Sequence, residues 1–131
     1  MVSETVVQQR TRLEHAKIGP LWRNNSGACT DQTGRLIRYG LGNDSAQLNA
    51  EIKSSDLIGI TPVQAYVEWL GGWTVLGVFT AYEVKAEGWH QTPGDKRAGA
   101  QARFHGIVRD AGGFAGFVTD PADIYRIMRR G

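Results

Sequence analysis

The chain of 131 residues is long enough for one compact domain and too short for two of ordinary size, so a single domain over residues 1–131 is expected. Apolar residues make up 41% of the chain, which predicts a folded core and excludes an intrinsically disordered class. The 15 basic and 13 acidic residues give a net charge of +2, which is too small to indicate a nucleic-acid partner by itself.

The single cysteine, Cys29, excludes an intramolecular disulfide and a cysteine-rich zinc site, and it favours a reducing compartment. We expect Cys29 itself to be a small buried or half-buried residue. The first residues lack the apolar segment of a signal peptide, and no window of the sequence is apolar enough to span a bilayer. These features predict a soluble cytoplasmic protein without a membrane partner.

The first third of the chain predicts a helix followed by short strands and a loop. Ser3 can cap the helix and Gly19-Pro20 can end it. Its apolar stripe is expected at Val6, Val7, Leu13 and Ala16. The expected elements are a helix over 4–17, a strand over 21–24, a turn over 31–34 that leads into a strand over 35–39 as a hairpin, and a polar loop over 40–53.

The rest of the chain alternates strands with helices. The expected elements are strands over 56–60, 64–70, 73–85 and 114–118, a mobile segment over 86–99, and helices over 100–111 and 121–129. The strand at 75–79 is apolar on both faces, which predicts a central strand covered on both sides. Asp120-Pro121 is expected to start the last helix. The order of the elements predicts a mixed α/β domain with helices packed on a central sheet.

The candidate chemistry lies at Asp56 and in the strand that carries Glu83, Val84 and Lys85. Side chains alternate along a strand, so Glu83 and Lys85 share one face. If the strand that follows Asp56 pairs beside this one, Asp56 and Glu83 can hold Mg²⁺ together with the Val84 carbonyl, water and a phosphate oxygen. Lys85 can orient the attacking water or offset negative charge in the transition state. A Glu–Lys ion pair on an exposed strand face is the alternative interpretation of the same spacing.

A series of short motifs covers nearly the whole chain. In order, they are WRNNSGA over 22–28, GR at 34–35, RYGL over 38–41, SSDLIG over 54–59, EVK over 83–85, AQ at 100–101 with Phe104, and GGFAG over 112–116. In this order and spacing they resemble the VRR-NUC family of the PD-(D/E)XK nuclease superfamily, in its stand-alone phage and bacterial form. The resemblance implies an α/β fold with a restriction-endonuclease-like core, in which a central mixed β-sheet is flanked by helices.

The resemblance also implies an activity. The expected function is Mg²⁺-dependent endonuclease cleavage of DNA, with Mn²⁺ able to substitute, on branched DNA such as Holliday junctions, by a homodimer in a bacterial or phage-infected host cell. It assigns catalytic roles to Asp56, Glu83 and Lys85, and to Gln101 on the following helix. Asp56, Glu83 and the Val84 carbonyl are the expected metal ligands.

An acid on the first helix usually completes the metal site in this family. Glu4 matches its position better than Glu14, although Glu4 can equally be an acid that only favours the helix dipole. Ser55 stands where the family motif has proline, so the motif loses a stiffening residue but no ligand.

The candidate DNA contacts are five polar side chains in the first third of the chain, namely Arg23, Asn24, Asn25, Arg35 and Arg38. Ordinary turn chemistry is the alternative explanation for the Asn pair. The glycine pairs lack the form of a phosphate-binding loop, so no nucleotide cofactor is expected.

Two other functions remain open from the sequence. One is a less selective nickase or flap nuclease, which would use the same residues. The other is a non-catalytic DNA-binding protein on a nuclease fold. The complete set of Asp56, Glu83, Lys85 and Gln101 argues against the second, because an inactive site has no physical reason to keep a cluster of like charges.

Overall fold

The computed structural model describes residues 1–129, which contain four helices and six strands. The helices are α1, Glu4–Ala16; α2, Ala46–Glu51; α3, Lys96–Asp110; and α4, Asp123–Arg129. The strands are β1, Leu21–Arg23; β2, Gly27–Thr30; β3, Leu36–Tyr39; β4, Leu57–Val67; β5, Gly72–Val84; and β6, Phe114–Val118. Positions 130 and 131 of the expected domain lie outside the described residues. No helix within residues 1–129 combines the length and apolar character needed to cross a membrane.

The central sheet is mixed. Its strand order is β1-β4-β5-β6, and β2 and β3 form a separate two-stranded hairpin. β4 pairs antiparallel with β1 and β5, whereas β6 runs parallel to β5 and is reached through α3. The prediction of an α/β domain with helices on a central mixed sheet is confirmed.

Each face of the sheet has its own core. The core under α1 and α4 contains Val7, Leu57, Tyr82, Val84, Phe114, Val118, Ile124 and Ile127. The core under α3 contains Ala81, Phe104, Val108 and Ala115. Because side chains alternate along β5, Tyr82 and Val84 face α1 and α4, and Glu83 faces α3.

The first helix forms as expected but buries a different set of residues. The Ser3 hydroxyl caps it by accepting from the Val6 amide at 3.3 Å. Its buried residues are Val7, Thr11 and His15, at four-residue spacing, whereas Leu13 of the predicted stripe is exposed. Thr11 and His15 can be buried because Thr11 bonds the Val7 carbonyl and His15 bonds the Tyr82 hydroxyl.

Two predicted strands, 56–60 and 64–70, are in fact the single strand β4, followed by a 3₁₀ turn at Glu68–Leu70. Thr61-Pro62 does not interrupt the strand. β1 pairs only with Leu57 to Gly59, so Pro62 lies past the end of β1, where the sheet edge needs no amide donor.

The prediction that residues 75–79 form a central, doubly covered strand is wrong. β6 pairs with β5 only from Thr80 onward, so the first part of β5 and the matching part of β4 extend beyond the other strands. Val75, Leu76 and Phe79 are exposed there. An apolar run indicates burial only where another layer of the protein lies against it.

The structure differs from the sequence prediction in several smaller points. The expected loop over 40–53 contains α2, because the Ser45 hydroxyl accepts from the Leu48 amide at 3.1 Å. α3 starts four residues earlier than expected, capped by Asp95. α4 starts at Asp123 rather than directly after Asp120. Cys29 is exposed rather than buried or half-buried, because the β2–β3 hairpin lies outside the central sheet.

Candidate active site

Asp56 and Glu83 lie directly opposite each other because of the strand register. β4 and β5 pair Leu57 with Tyr82, so the next position outward on each side is Asp56 and Glu83. Both carboxyl groups lie at the end of the sheet where β5 ends and β4 begins. The Val84 amide donates to Asp56 Oδ2 at 3.1 Å, which fixes the orientation of that carboxyl group. The predicted convergence of the two acids is therefore present in the structure.

The two carboxyl groups strongly affect each other. Glu83 is 4% exposed, and this burial raises the pKa of its carboxyl group well above the ordinary value. A hydrogen bond to the Asp56 side chain and the negative charge of Asp56 raise this pKa further, whereas the positive charges of Lys85 and Arg97 lower it. In the absence of a cation, the protein therefore favours a proton on Glu83.

The pair opens into a polar cleft of about 660 Å³. Six of the predicted site residues line it, namely Asn24, Asn25, Arg38, Asp56, Glu83 and Gln101. They come from five separate stretches of the chain. The cleft therefore combines the predicted acidic centre with part of the predicted DNA-contact set.

Gln101 contributes an acceptor that has no partner. Its side chain is 2% exposed, and its Oε1 makes no hydrogen bond within the described part of the chain. It lies on α3, on the face that covers Glu83, and it lines the cleft. A buried acceptor without a donor is costly, so this oxygen is suited to a ligand or water that donates to it.

Lys85 shares the strand face of Glu83 but does not line the cleft. Its Nζ lies 5.1 Å from the centre of the Trp89 ring and 6.0 Å from that of Phe117. Such ring contacts hold an ammonium group in place. Its charge still acts on Glu83, whose pKa it lowers.

Asn24 uses its side chain within the protein. Its Nδ2 donates to the Ser54 hydroxyl and to the Ser55 carbonyl, both at 2.9 Å. Its backbone amide donates to the Asp56 carbonyl at 2.7 Å. Asn24 therefore positions the segment that carries Asp56, and these bonds occupy the donors that the sequence suggested for DNA.

The other proposed DNA contacts are distributed unevenly. Asn25 is exposed at the cleft, and Arg38 lines the cleft while its Nη1 donates to Asn43 Oδ1 at 3.3 Å. Arg23 and Arg35 are exposed but do not line the cleft. The structure therefore brings Asn25 and Arg38 to the candidate site and leaves the other two arginines outside it.

The candidate third acid is not brought to the cleft. Glu4 is exposed in the first turn of α1 and does not line the cleft. Glu14 forms an ion pair with Lys17 at 2.9 Å and accepts from the Tyr125 hydroxyl. Within residues 1–129, no group of three or more His, Cys, Asp or Glu side chains is arranged to hold a metal ion.

Two acids and an amide oxygen nevertheless fit a hard cation. Mg²⁺ in proteins is commonly bound by one or two carboxylates, with water completing its coordination. Asp56 and Glu83 would be the protein ligands, and the free Gln101 oxygen lies in the same cleft. The cleft lining includes no Cys or His, so it lacks the ligands typical of zinc.

Several cleft residues were missed from the sequence. They are Lys53, Arg97, Asn43, Asn49 and Ser54. Arg97 lies four residues before Gln101 and so on the same side of α3. The sequence pattern predicts that this helix starts at residue 100, so it does not place Arg97 on the helix. Asn49 lies on α2 and Lys53 follows it, in a stretch that the sequence predicts to be loop. The Lys53 ammonium donates to the Asn49 carbonyl at 3.0 Å.

The sequence pattern also does not indicate a buried hydrogen-bonded pair of side chains next to Asp56. The Ser55 hydroxyl and His105 Nε2 are 2.9 Å apart, and both residues are buried. Burial, together with the positive charges of Arg109 and Lys85, lowers the pKa of His105 to about 4, so the imidazole is neutral at pH 7. Ser55 at the proline position of the motif is therefore held by a hydrogen bond that proline could not make.

No family model, curated protein or solved structure matches the chain.

Proposed function

We propose that the chain is a Mg²⁺-dependent endonuclease that hydrolyses DNA phosphodiester bonds at the cleft. The observation that carries this proposal is the opposed carboxyl pair of half-buried Asp56 and buried Glu83, which lines a polar cleft. A buried carboxylate beside a second negative charge is unfavourable unless a positive charge compensates the pair. A divalent cation would supply that compensation.

The roles of the residues follow from their positions. Asp56 and Glu83 would hold the cation, with Asp56 oriented by the Val84 amide. When bound, Mg²⁺ supplies Lewis-acid activation of the phosphate and of water. The Gln101 oxygen can accept a hydrogen bond from the attacking water and so orient it. Lys85, held against Trp89, offsets the negative charge that develops during the reaction.

The reaction is a hydrolysis without any redox change. Water attacks phosphorus, the bond from phosphorus to one ester oxygen breaks, and the products are a phosphate monoester and a free hydroxyl group. The proton of the water leaves to solvent, and the departing oxygen takes up a proton. No co-reactant other than water is needed.

The walls of the cleft favour a polyanionic substrate. Arg38, Lys53 and Arg97 line it, around an acidic centre that would itself repel phosphate. Cations on the walls can bind phosphates on either side of the bond to be cut. This arrangement supports a nucleic acid rather than a small neutral substrate.

The finer parts of the proposal come from the motif resemblance. They are selectivity for branched DNA such as Holliday junctions, a homodimer that cuts two strands, and action in the cytoplasm of a bacterial or phage-infected cell. A less selective nickase or flap nuclease would use the same chemistry and differs only in substrate. A non-catalytic DNA-binding protein would retain the basic walls without needing the buried carboxyl pair.

The test is a cleavage assay with end-labelled four-way junction, flap and linear duplex DNA, in Mg²⁺, Mn²⁺ or EDTA. We expect metal-dependent cleavage by the parent and at least about a hundredfold loss in Asp56→Asn, as is usual when a group that stabilises the transition state is removed. Asp110→Asn removes an exposed acid far from the cleft and is the matched control. Equal cleavage by the parent and Asp56→Asn would refute the site, and DNA binding without any cleavage would favour the non-catalytic alternative.

A further inference from the structure

The central sheet extends into a two-stranded arm, which we define as residues 60–79. β1 pairs with β4 only up to Gly59, and β6 pairs with β5 only from Thr80. Between these limits, β4 and β5 pair only with each other, from Ile60 opposite Phe79 to Val67 opposite Gly72. The arm therefore lacks the neighbouring strands that cover the rest of the sheet.

One face of the arm is mostly apolar, and Gln64 is its exposed polar side chain. Residues paired across two antiparallel strands share a face, so Ile60 and Phe79 lie together, as do Tyr66 and Trp73. Val75 lies on the same face, two positions from Trp73. These five side chains are between 38% and 75% exposed. We call this surface the arm face.

Together with Trp69 at the tip, the arm face forms a larger apolar surface than a monomer usually exposes. Aromatic side chains present roughly 150–250 Å² each, so the arm face and Trp69 at the tip together expose on the order of 700 Å² of apolar surface. Trp69 alone is 84% exposed. Apolar patches on typical monomers reach roughly 300–600 Å², and one partner in a stable complex contributes about 800 Å². This combined area approaches the roughly 800 Å² that each subunit contributes to a stable dimer.

The charge of the arm decides between a nucleic acid and a protein as its partner. Residues 60–79 contain one charged residue, Glu68, and no Lys or Arg. A surface that binds nucleic acid ordinarily carries basic residues to contact phosphates. Two copies of an uncharged apolar face can pack on each other about a two-fold axis without bringing like charges together.

We infer that the arm face is the surface through which two copies of this chain associate. The inference deepens the homodimer proposed above and names its contact residues, but it does not depend on the nuclease chemistry. The arm projects from the ends of β4 and β5 opposite to the ends that carry Asp56 and Glu83. Association through it therefore leaves the cleft of each copy open.

The test is sedimentation equilibrium of the full chain over a wide range of concentrations. We expect the parent to form a species of twice 14.4 kDa. Trp73→Ala and Val75→Arg should each weaken the dimer by roughly tenfold to a hundredfold, as for central interface residues. Leu13→Arg is the matched control, because it changes an exposed apolar residue outside the arm. Circular dichroism of each variant confirms that it is folded.

The outcomes are distinct. A parent that stays monomeric, or a Val75→Arg variant that dimerises as tightly as the parent, would overturn the inference. Stronger DNA binding by a monomeric Val75→Arg variant, with weaker binding by Trp73→Ala, would instead make the arm a DNA contact. Asp56→Asn should dimerise like the parent whether or not the nuclease proposal is correct, which separates the two proposals.

Discussion

Replacing Glu83 with glutamine should make the metal-free protein more stable at neutral pH. The pKa of Glu83 is raised in the folded protein, first by burial and then by Asp56. The folded state therefore binds a proton that the unfolded state releases above about pH 4.5. The stabilisation from Glu83 is complete below that pH and is lost as the pH rises toward the higher folded pKa.

The magnitude follows from this single proton. Each pH unit above the unfolded pKa removes up to about 1.4 kcal/mol from the free energy of unfolding. Between pH 5.5 and 7.5 the parent should lose roughly 2–3 kcal/mol through Glu83, and Glu83→Gln should lack this loss. At pH 7.5, about three units above the unfolded pKa, the variant should be more stable than the parent by up to about 4 kcal/mol.

The assay is urea unfolding in EDTA at pH 5.5, 6.5 and 7.5, at one fixed protein concentration because dimerisation would affect stability. Glu51→Gln is the control, since Glu51 is exposed, and it should change the free energy of unfolding by less than about 0.5 kcal/mol. Added Mg²⁺ should stabilise the parent and not the Glu83→Gln variant. A variant that loses stability with pH as steeply as the parent would refute the argument.

Three further outcomes can be measured on single variants. His105→Phe leaves the Ser55 hydroxyl buried without its partner, so urea unfolding should show a loss of about 1–3 kcal/mol, and Ser55→Ala in the same chain should recover part of it. Gln101→Leu removes an unpaired buried acceptor, so it should keep or raise the thermal midpoint while lowering the cleavage rate at least about tenfold; a lower midpoint would contradict this role. Arg97→Ala should weaken DNA binding and lower the slope of log affinity against log salt by about 0.9, and an unchanged slope would remove Arg97 from the phosphate contacts.

The acidic centre was predictable because it depends only on local rules. Alternation along a strand places Glu83 and Lys85 on one face, and antiparallel pairing of neighbouring strands brings Asp56 opposite Glu83. The position of Lys85 was less predictable. Its contact with Trp89 depends on a segment whose path the sequence pattern did not give.

The rest of the cleft depends on contacts between distant parts of the chain. The hydrogen bonds from Asn24 to Ser54 and Ser55 join residues about thirty positions apart, and no local pattern indicates them. The exposure of residues 75–79 was missed for a similar reason. An apolar sequence predicts that a surface is removed from water. It does not predict whether residues of the same chain or of a second chain cover that surface.

The hydrogen bond between Ser55 and His105 has a consequence for sequence variation. A serine hydroxyl at position 55 is tolerated in the core because an imidazole fifty residues later accepts or donates to it. A chain of this fold with proline at position 55 has no hydroxyl there, so nothing would favour histidine over an apolar residue at position 105. The two positions should therefore change together, and an alignment in which they vary independently would show that the pair is dispensable.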